Sequence, residues 1–268
     1  MLLTPLTPHL GHRWVTLQAT NLLYMRIVSW NLGHQTVERP LKAAFGRAVH
    51  ALAPDTLVLN EYVDGPSRVA MKEDLARHGL ACLAVSRRVG RNNQVLVASR
   101  FAFEVGALSG PAVTDAGISN FLHVRFRDQR LELVGVRVPA YDSRERAEYW
   151  QCLSNLISET VDRPMMFVGD FNADPTNKRS AGGRAMATLI AGGWQIPAAI
   201  GDWSYCSSRA QTRIDHAIVA PELFTLSAEY CHSIGGVECA GTGAALYDHA
   251  PLMVEIRTLS NRDDRGME

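Results

Sequence analysis

The chain has 268 residues, 47% of them hydrophobic and 20% charged, with 27 acidic and 27 basic side chains in balance. This is ordinary globular composition, and the balance of charge excludes a protein that gathers polyanions by an overall basic field. No apolar run approaches the length of a membrane-spanning helix, and five scattered cysteines (Cys82, Cys152, Cys206, Cys231, Cys239) with no C-x-x-C spacing argue against a disulfide frame or a cysteine zinc site.

The first 24 residues hold early prolines, no basic start and no clean small-residue cleavage site. They are expected to form a loosely ordered extension rather than a signal peptide, which leaves the cytoplasm as the expected location. Met25–Trp30 (MRIVSW) is expected to open the fold as a strand. From Pro40, Leu41, Ala44, Phe45, Ala48, Val49 and Leu52 recur at helical spacing, with proline at a favoured first-turn position and Pro54 as the stop. Thr56–Leu59 is a second apolar strand, and a helix ending near Gly79 follows. Strand-like stretches come next at Leu80–Val85, Gln94–Ala98, Asn120–Phe126 and Leu131–Val138. Asp142, with Glu145 three residues on, is expected to cap a helix whose buried face is Ala147, Trp150, Leu153, Leu156 and Ile157. Met165–Val168 is a short buried strand, followed by a Gly-rich basic loop at Asn177–Arg184 and a helix to about Ile190. Strands at Ile214–Val219 and Leu252–Ile256 complete the series. Many successive strands have no helix between them, which predicts an α/β protein with substantial antiparallel sheet. Nothing breaks the composition, so one domain over residues 25–258 with a flexible tail at 259–268 is expected.

Polar side chains stand at strand ends throughout: Asn31 after MRIVSW, Glu61 after TLVLN, Asp170 and Asn172 in FVGDFNADP, Asp215 in RIDHAIV, and Asp248-His249 before PLMVEI. Taken singly, a turn residue or a solvated acid is the simpler account of each. Together they are hard oxygen donors and one imidazole, placed where rigid scaffolds carry chemistry. Asn31 and Glu61 offer only oxygen as ligand atoms, which magnesium, manganese or calcium prefers. Glu61 is expected to be the firm carboxylate ligand and Asn31 to position. His249 is expected to be an imidazolium held by a second acid, for which Asp215 is the candidate, so that it donates to an anionic oxygen. Asp170 is expected to be the general base that deprotonates water for attack on phosphorus. Asn172, two positions on and so on the same face of a strand, is expected to orient that water or the phosphate. Phosphodiester hydrolysis needs positioning and charge neutralisation more than covalent help, and this set supplies both.

WNLG at Trp30–Gly33, LNEY at Leu59–Tyr62, GDFNADP at Gly169–Pro175, RIDHAIV at Arg213–Val219 and YDHAPL at Tyr247–Leu252 together resemble the endonuclease/exonuclease/phosphatase family, which includes deoxyribonuclease I, exonuclease III and the abasic-site endonucleases. The resemblance runs from Met25 to about Ile256. It implies a four-layer α/β sandwich, two packed mixed and mostly antiparallel sheets flanked by helices. It also implies a phosphoesterase dependent on a divalent metal, Mg2+ or Mn2+. By position, Asn31 and Glu61 match metal-site residues, Asp248 lies at the metal edge, and Asp170 with Asn172 matches the catalytic pair. His249 matches the phosphate-binding histidine and Asp215 the acid that orients it.

One departure bears on mechanism. Where the family's middle motif has His or Tyr, this chain has Arg137 in GVRVPAY. An arginine cannot give up a proton, though it can neutralise or clamp a phosphate. Protonation of the leaving group is then expected from a metal-bound water, from nearby Tyr141, or not at all. Arg87-Arg88-Arg91 and Lys178-Arg179-Arg184 are candidate backbone contacts for a nucleic acid, with Trp203 and Tyr205 as candidate platforms for a sugar or base; solvated loops and core caps are the plain alternatives. DNA or another nucleic acid is the preferred substrate and partner of an expected monomer. A small or lipid-headgroup phosphodiester, and a nucleic-acid-binding module without turnover, stand as alternatives.

Overall fold

The structure, a computed structural model, describes residues 22–139 and 143–259. Tyr141 and the cap residue Asp142 lie outside the described residues. Two mixed sheets form the frame. The first has six strands in the order β12-β15-β1-β2-β4-β3, namely Phe224–Tyr230, Leu252–Leu259, Leu22–Asn31, Thr56–Tyr62, Gln94–Ser99 and Cys82–Val85. The second has five in the order β11-β8-β7-β6-β5, namely Asp215–Val219, Met165–Asp170, Leu131–Arg137, Phe121–Phe126 and Glu104–Val105. Two small hairpins, β9 (Tyr205–Cys206) with β10 (Gln211–Thr212) and β13 (Ser233–Ile234) with β14 (Val237–Glu238), complete the strands. Each large sheet contains one parallel pairing, β1 with β2 and β7 with β8, and is otherwise antiparallel.

Period-two burial explains the layers. On β1, Met25 and Ile27 face the second sheet while Val28 and Trp30 face outward. On β8, Met166 and Val168 face the first sheet while Met165 and Phe167 face outward. Strands apolar on both faces need a cover on each side. Phe45, Ala48, Val49 and Leu52 of α1 (Phe45–Leu52) and Leu75 of α2 (Val69–Arg77) cover the first sheet. Tyr149, Trp150, Leu153 and Ile157 of α4 (Ser143–Ser158), with Met186 and Leu189 of α5 (Ala181–Ala191), cover the second. The result is a four-layer α/β sandwich; the short α3 (Asp115–Ser119), capped by Thr114, sits beside β6.

Several boundaries differ from expectation. β1 starts at Leu22 and β15 runs to Leu259, because their antiparallel pairing continues through Leu22 opposite Leu259. The helix expected from Pro40 begins only at Phe45 and ends at Ala53, which adopts a left-handed conformation before Pro54. The basic loop is shorter than its composition implies: Ser180 accepts the Gly183 N–H, so Gly182, Gly183 and Arg184 belong to α5. β12 was not foreseen, although FTLSAEY alternates apolar and polar residues; it lies at the sheet edge with a bulge between Thr225 and Ser227, and its Phe224 and Leu226 are exposed.

Gly169 shows how tightly the sheets are docked. Its φ is +148°, and a Cβ there would lie 1.9 Å from the Val136 carbonyl oxygen and 2.9 Å from Asn60 Nδ2 on the other sheet. Strain and overlap add, so Gly169→Ala is expected to destabilise the fold by about 3 kcal/mol, read as a lowered urea midpoint. A change under a few tenths of a kcal/mol would show that the sheets can part there at no cost.

A second expectation concerns acid. His123 is buried on β6; its Nδ1 accepts the Leu108 N–H and its Nε2 donates to Glu132, which also receives Arg163. Burial lowers the His123 pKa, with Glu132 only partly opposing it. Burial would raise Glu132, but Arg163 and His123 hold it below the usual carboxylate range. Both groups therefore bind protons more readily in the unfolded chain. The stability they supply is complete above the unfolded histidine value near 6.5, and is lost as pH falls through that value and then through the carboxylate range. Urea midpoints should fall between pH 7 and pH 5, and His123→Asn should flatten the upper part of that decline. An unchanged slope would place the proton uptake elsewhere.

Candidate active site

The alternation that builds the core also builds the site. After Leu131, Leu133 and Gly135 on β7, the next inward position is Arg137; after Met166 and Val168 on β8 it is Asp170; before Ala217 and Val219 on β11 it is Asp215. Asp170 is in register with Arg137 on one side and Asp215 on the other. From the first sheet, β1 ends at Asn31 and β2 at Glu61-Tyr62, while His249 precedes β15. The polar set thus sits at one pole of the inter-sheet space, and each sheet supplies part of it.

Asp170 is buried, and donors hold both of its oxygens. Oδ1 accepts the Asn172 N–H at 2.9 Å; Oδ2 accepts Asn31 Nδ2 at 3.0 Å and Asn172 Nδ2 at 3.2 Å. Burial and the facing Asp215 carboxylate raise its pKa well above the carboxylate range, against the lowering pull of His249 and Arg137. The same-face argument for Asn172 needs correction. β8 ends at Asp170, Phe171 points outward to stack on Trp150 of α4, and Asn172 is left-handed with φ +46°. Its Nδ2 also donates to the Val138 carbonyl at 2.7 Å, so it braces Asp170 from a turn.

His249 and Asp215 form a buried pair, Nδ1 to Oδ2 at 2.8 Å. Burial would lower the His249 pKa, but Asp215, followed by Asp170 and Asp248, brings it up to about 9. The imidazolium's Nε2–H is left to meet an anion. Trp30 Nε1 donates to the His249 carbonyl, Ser204 Oγ accepts the Asp215 N–H, and Tyr230 donates to the Asp215 carbonyl. These three supports were not found from the sequence, since ordinary core residues announce no partner.

The predicted oxygen donors are tied to one turn. Gly33 N–H donates to Asn31 Oδ1 at 3.0 Å, His34 N–H donates to Glu61 Oε2, and a Cβ on Gly33 would lie 3.3 Å from Asp248 Oδ1. Glu61 is left-handed at φ +53°, within an irregularity of the β2–β4 pairing that aims its side chain inward. Burial raises its pKa, but Arg137 and the His34 N–H more than reverse this. His, Cys, Asp and Glu side chains nowhere gather in threes at metal-binding geometry among the described residues. Glu61, Asn31 and the partly exposed Asp248 nevertheless suit a hard divalent cation that draws its remaining ligands from water and substrate. His34, whose ring Nδ1 lies 3.1 Å from Glu61, is a site residue the sequence reading passed over. Arg137 Nε sits 2.7 Å from Glu61 Oε1 and 3.8 Å from Asp170 Oδ2.

The model of the Endonuclease/Exonuclease/phosphatase family matches residues 28–246. The chain belongs to this family. No protein of curated function matches it in sequence. Among solved structures, an AP endonuclease from Archaeoglobus fulgidus superposes with TM-score 0.65 at 16% identity, over 86% of this chain and 98% of that one. The 3' phosphatase NExo from Neisseria, bound to product DNA hairpin, gives 0.61 at 19% identity over 86% and 98%. An endonuclease/exonuclease/phosphatase from Beutenbergia cavernae DSM 12333 gives 0.62 at 16%, over 88% and 72%. Membership makes the chain a phosphoric ester hydrolase by family, and its two-sheet architecture is the one these proteins share.

Around this endonuclease/exonuclease/phosphatase site, the loop from Ser86 to Asn93 carries exposed Arg87, Arg88 and Arg91 and returns at Gln94, opposite Tyr62 at the Glu61 end of β2. Lys178 and Arg179 are exposed in the segment leaving β8 after Asp170; Arg184 is exposed on α5. Tyr205 packs against His249 with ring centroids 4.9 Å apart. Trp203 instead stacks on His232 at 4.0 Å and rests on the inter-sheet core, so it caps the core.

Proposed function

We propose that this family member is a divalent-metal-dependent phosphodiesterase acting on nucleic acid, with Asp170 as its general base. The observation that carries the reading is the Asp170 carboxylate, buried, held by donors on both oxygens, and set between Arg137 and the His249–Asp215 pair. Burial and the facing acid make it basic enough to take a proton from water near neutral pH. His249 keeps its proton on the strength of Asp215 and donates Nε2–H to a non-bridging phosphate oxygen. Asn31 and Asn172 hold Asp170 in one orientation. Glu61, Asn31 and Asp248 would hold Mg2+ or Mn2+, which when bound neutralises charge on the phosphate and leaving oxygen. Arg137 adds a permanent positive charge but no proton, so protonation of the leaving group falls to Tyr141 or to solvent.

The preference for nucleic acid is supported by two exposed basic stretches, one leading into β4 opposite Tyr62 and one following β8 after Asp170. It is supported also by the DNA hairpin in the Neisseria 3' phosphatase structure. No helix among the described residues is long and apolar enough to cross a membrane. Hydrolysis of an abasic duplex, an intact duplex, single strands or RNA is expected with Mg2+ or Mn2+. It should vanish in EDTA and return when the ion is restored. Cleavage confined to a chromogenic diester or to lipid headgroups would replace the nuclease reading with a small-substrate one; binding of DNA without turnover under any metal would leave a binding module.

A further inference from the structure

Arg137 stands where a divalent ion's charge is wanted. Its guanidinium is mostly buried, its Nε is 2.7 Å from a carboxylate that is itself 4% exposed, and a second carboxylate lies at 3.8 Å. Yet the Nε–H is directed at no acceptor. A permanent structural pair between arginine and a carboxylate uses the planar fork, with parallel hydrogen bonds. This one is held by charge. The other Glu61 oxygen receives the His34 N–H and ring, so both oxygens are engaged before any ion arrives. An ion landing on Glu61 must push away a like charge already lodged in a nearly dry site. The displaced side chain stays tethered at the end of β7, in register with Asp170, and the nearest new anion it can meet is the phosphate under attack.

We propose that Arg137 is a built-in counter-cation: it holds Glu61 while the site is without an ion, and passes to the substrate's phosphate when a divalent ion takes Glu61 over, so that ion and phosphate ester bind cooperatively. The inference rests on the metal-dependent reading above and specifies how that site is regulated. The bare protein then binds divalent ions weakly, which protects the site from idle occupancy. A phosphate ester strengthens ion binding by giving the guanidinium somewhere to go, and by linkage the ion strengthens ester binding by the same factor.

The test is a Mn2+ titration of the intact protein followed by electron paramagnetic resonance of free Mn2+, with and without diethyl phosphate as an inert diester. Without the diester, Arg137→Gln should bind Mn2+ about tenfold more tightly than wild type, within the usual range of site-to-site coupling. The diester should tighten Mn2+ binding to wild type by about tenfold more than it tightens binding to Arg137→Gln, where only its direct ligation of the ion remains. Arg137→Lys, which keeps the charge, should keep most of the wild-type diester effect, and Arg137→Met carries the charge-removal comparison if Arg137→Gln fails to fold. Glu61→Gln should bind Mn2+ poorly in every case. Equal or weaker Mn2+ binding by Arg137→Gln or Arg137→Met, or a diester effect in either as large as in wild type, overturns the proposal while leaving the metal-dependent reading in place. Absence of Mn2+ binding in wild type and all variants overturns both.

Discussion

Asp170→Asn is expected to lower kcat by about 10^3- to 10^4-fold, the upper part of what a positioned general base contributes, while leaving a folded protein. The amide keeps the shape of the carboxylate but cannot accept a proton from water. One Asn172 donor, which now feeds a carboxylate oxygen, would face an NH2 group, at a cost of about 1–3 kcal/mol. Against this, the variant removes a charge buried beside Asp215, and a polar group with an unfavourable native environment is a common cost of function. The two effects oppose each other, so the melting temperature at pH 8 should stay within a few degrees of wild type. Retention of a tenth or more of the wild-type rate in a folded Asp170→Asn would remove Asp170 from the chemistry.

The second large effect belongs to the buried pair. His249→Gln should cost about 10^2- to 10^3-fold in kcat, the usual penalty for losing one donor aimed at transition-state charge. Asp215→Asn should cost less, because the imidazole remains but is no longer held protonated or oriented by an anion. The double variant should be hardly slower than His249→Gln alone, since the acid works only through the histidine. Additive losses in the double variant would mean that Asp215 touches the reaction separately. Stability should separate the same variants. His249→Ala strands a buried carboxylate and is expected to cost about 3–5 kcal/mol, whereas His249→Gln keeps a donor for it.

The strands that carry the site could be read from the chain because they are apolar on both faces and end abruptly in polar residues. MRIVSWN, MMFVGD and DHAIV each show a core run and its terminating oxygen in one stretch. What could not be read is whatever depends on a neighbour. That Arg137 meets Glu61 depends on how two separate sheets dock. That Asn172 braces Asp170 from a turn depends on a left-handed backbone that an asparagine permits but does not announce. His34 acts largely through its main-chain N–H, to which its side chain offers no clue. Trp203 stayed open in the sequence between a substrate platform and a core cap, because the residue that decides it, His232, is 29 residues away.

Neither sheet holds the chemistry alone. The first contributes Asn31 and Glu61, with His249 at its border; the second contributes Arg137, Asp170 and Asp215. A partly folded chain with one sheet formed has half a constellation and no turnover. On the proposed assignment, turnover therefore requires the two β-layers to be packed face to face, and a change that loosens their docking, far from any of these side chains, should cost activity as well as stability.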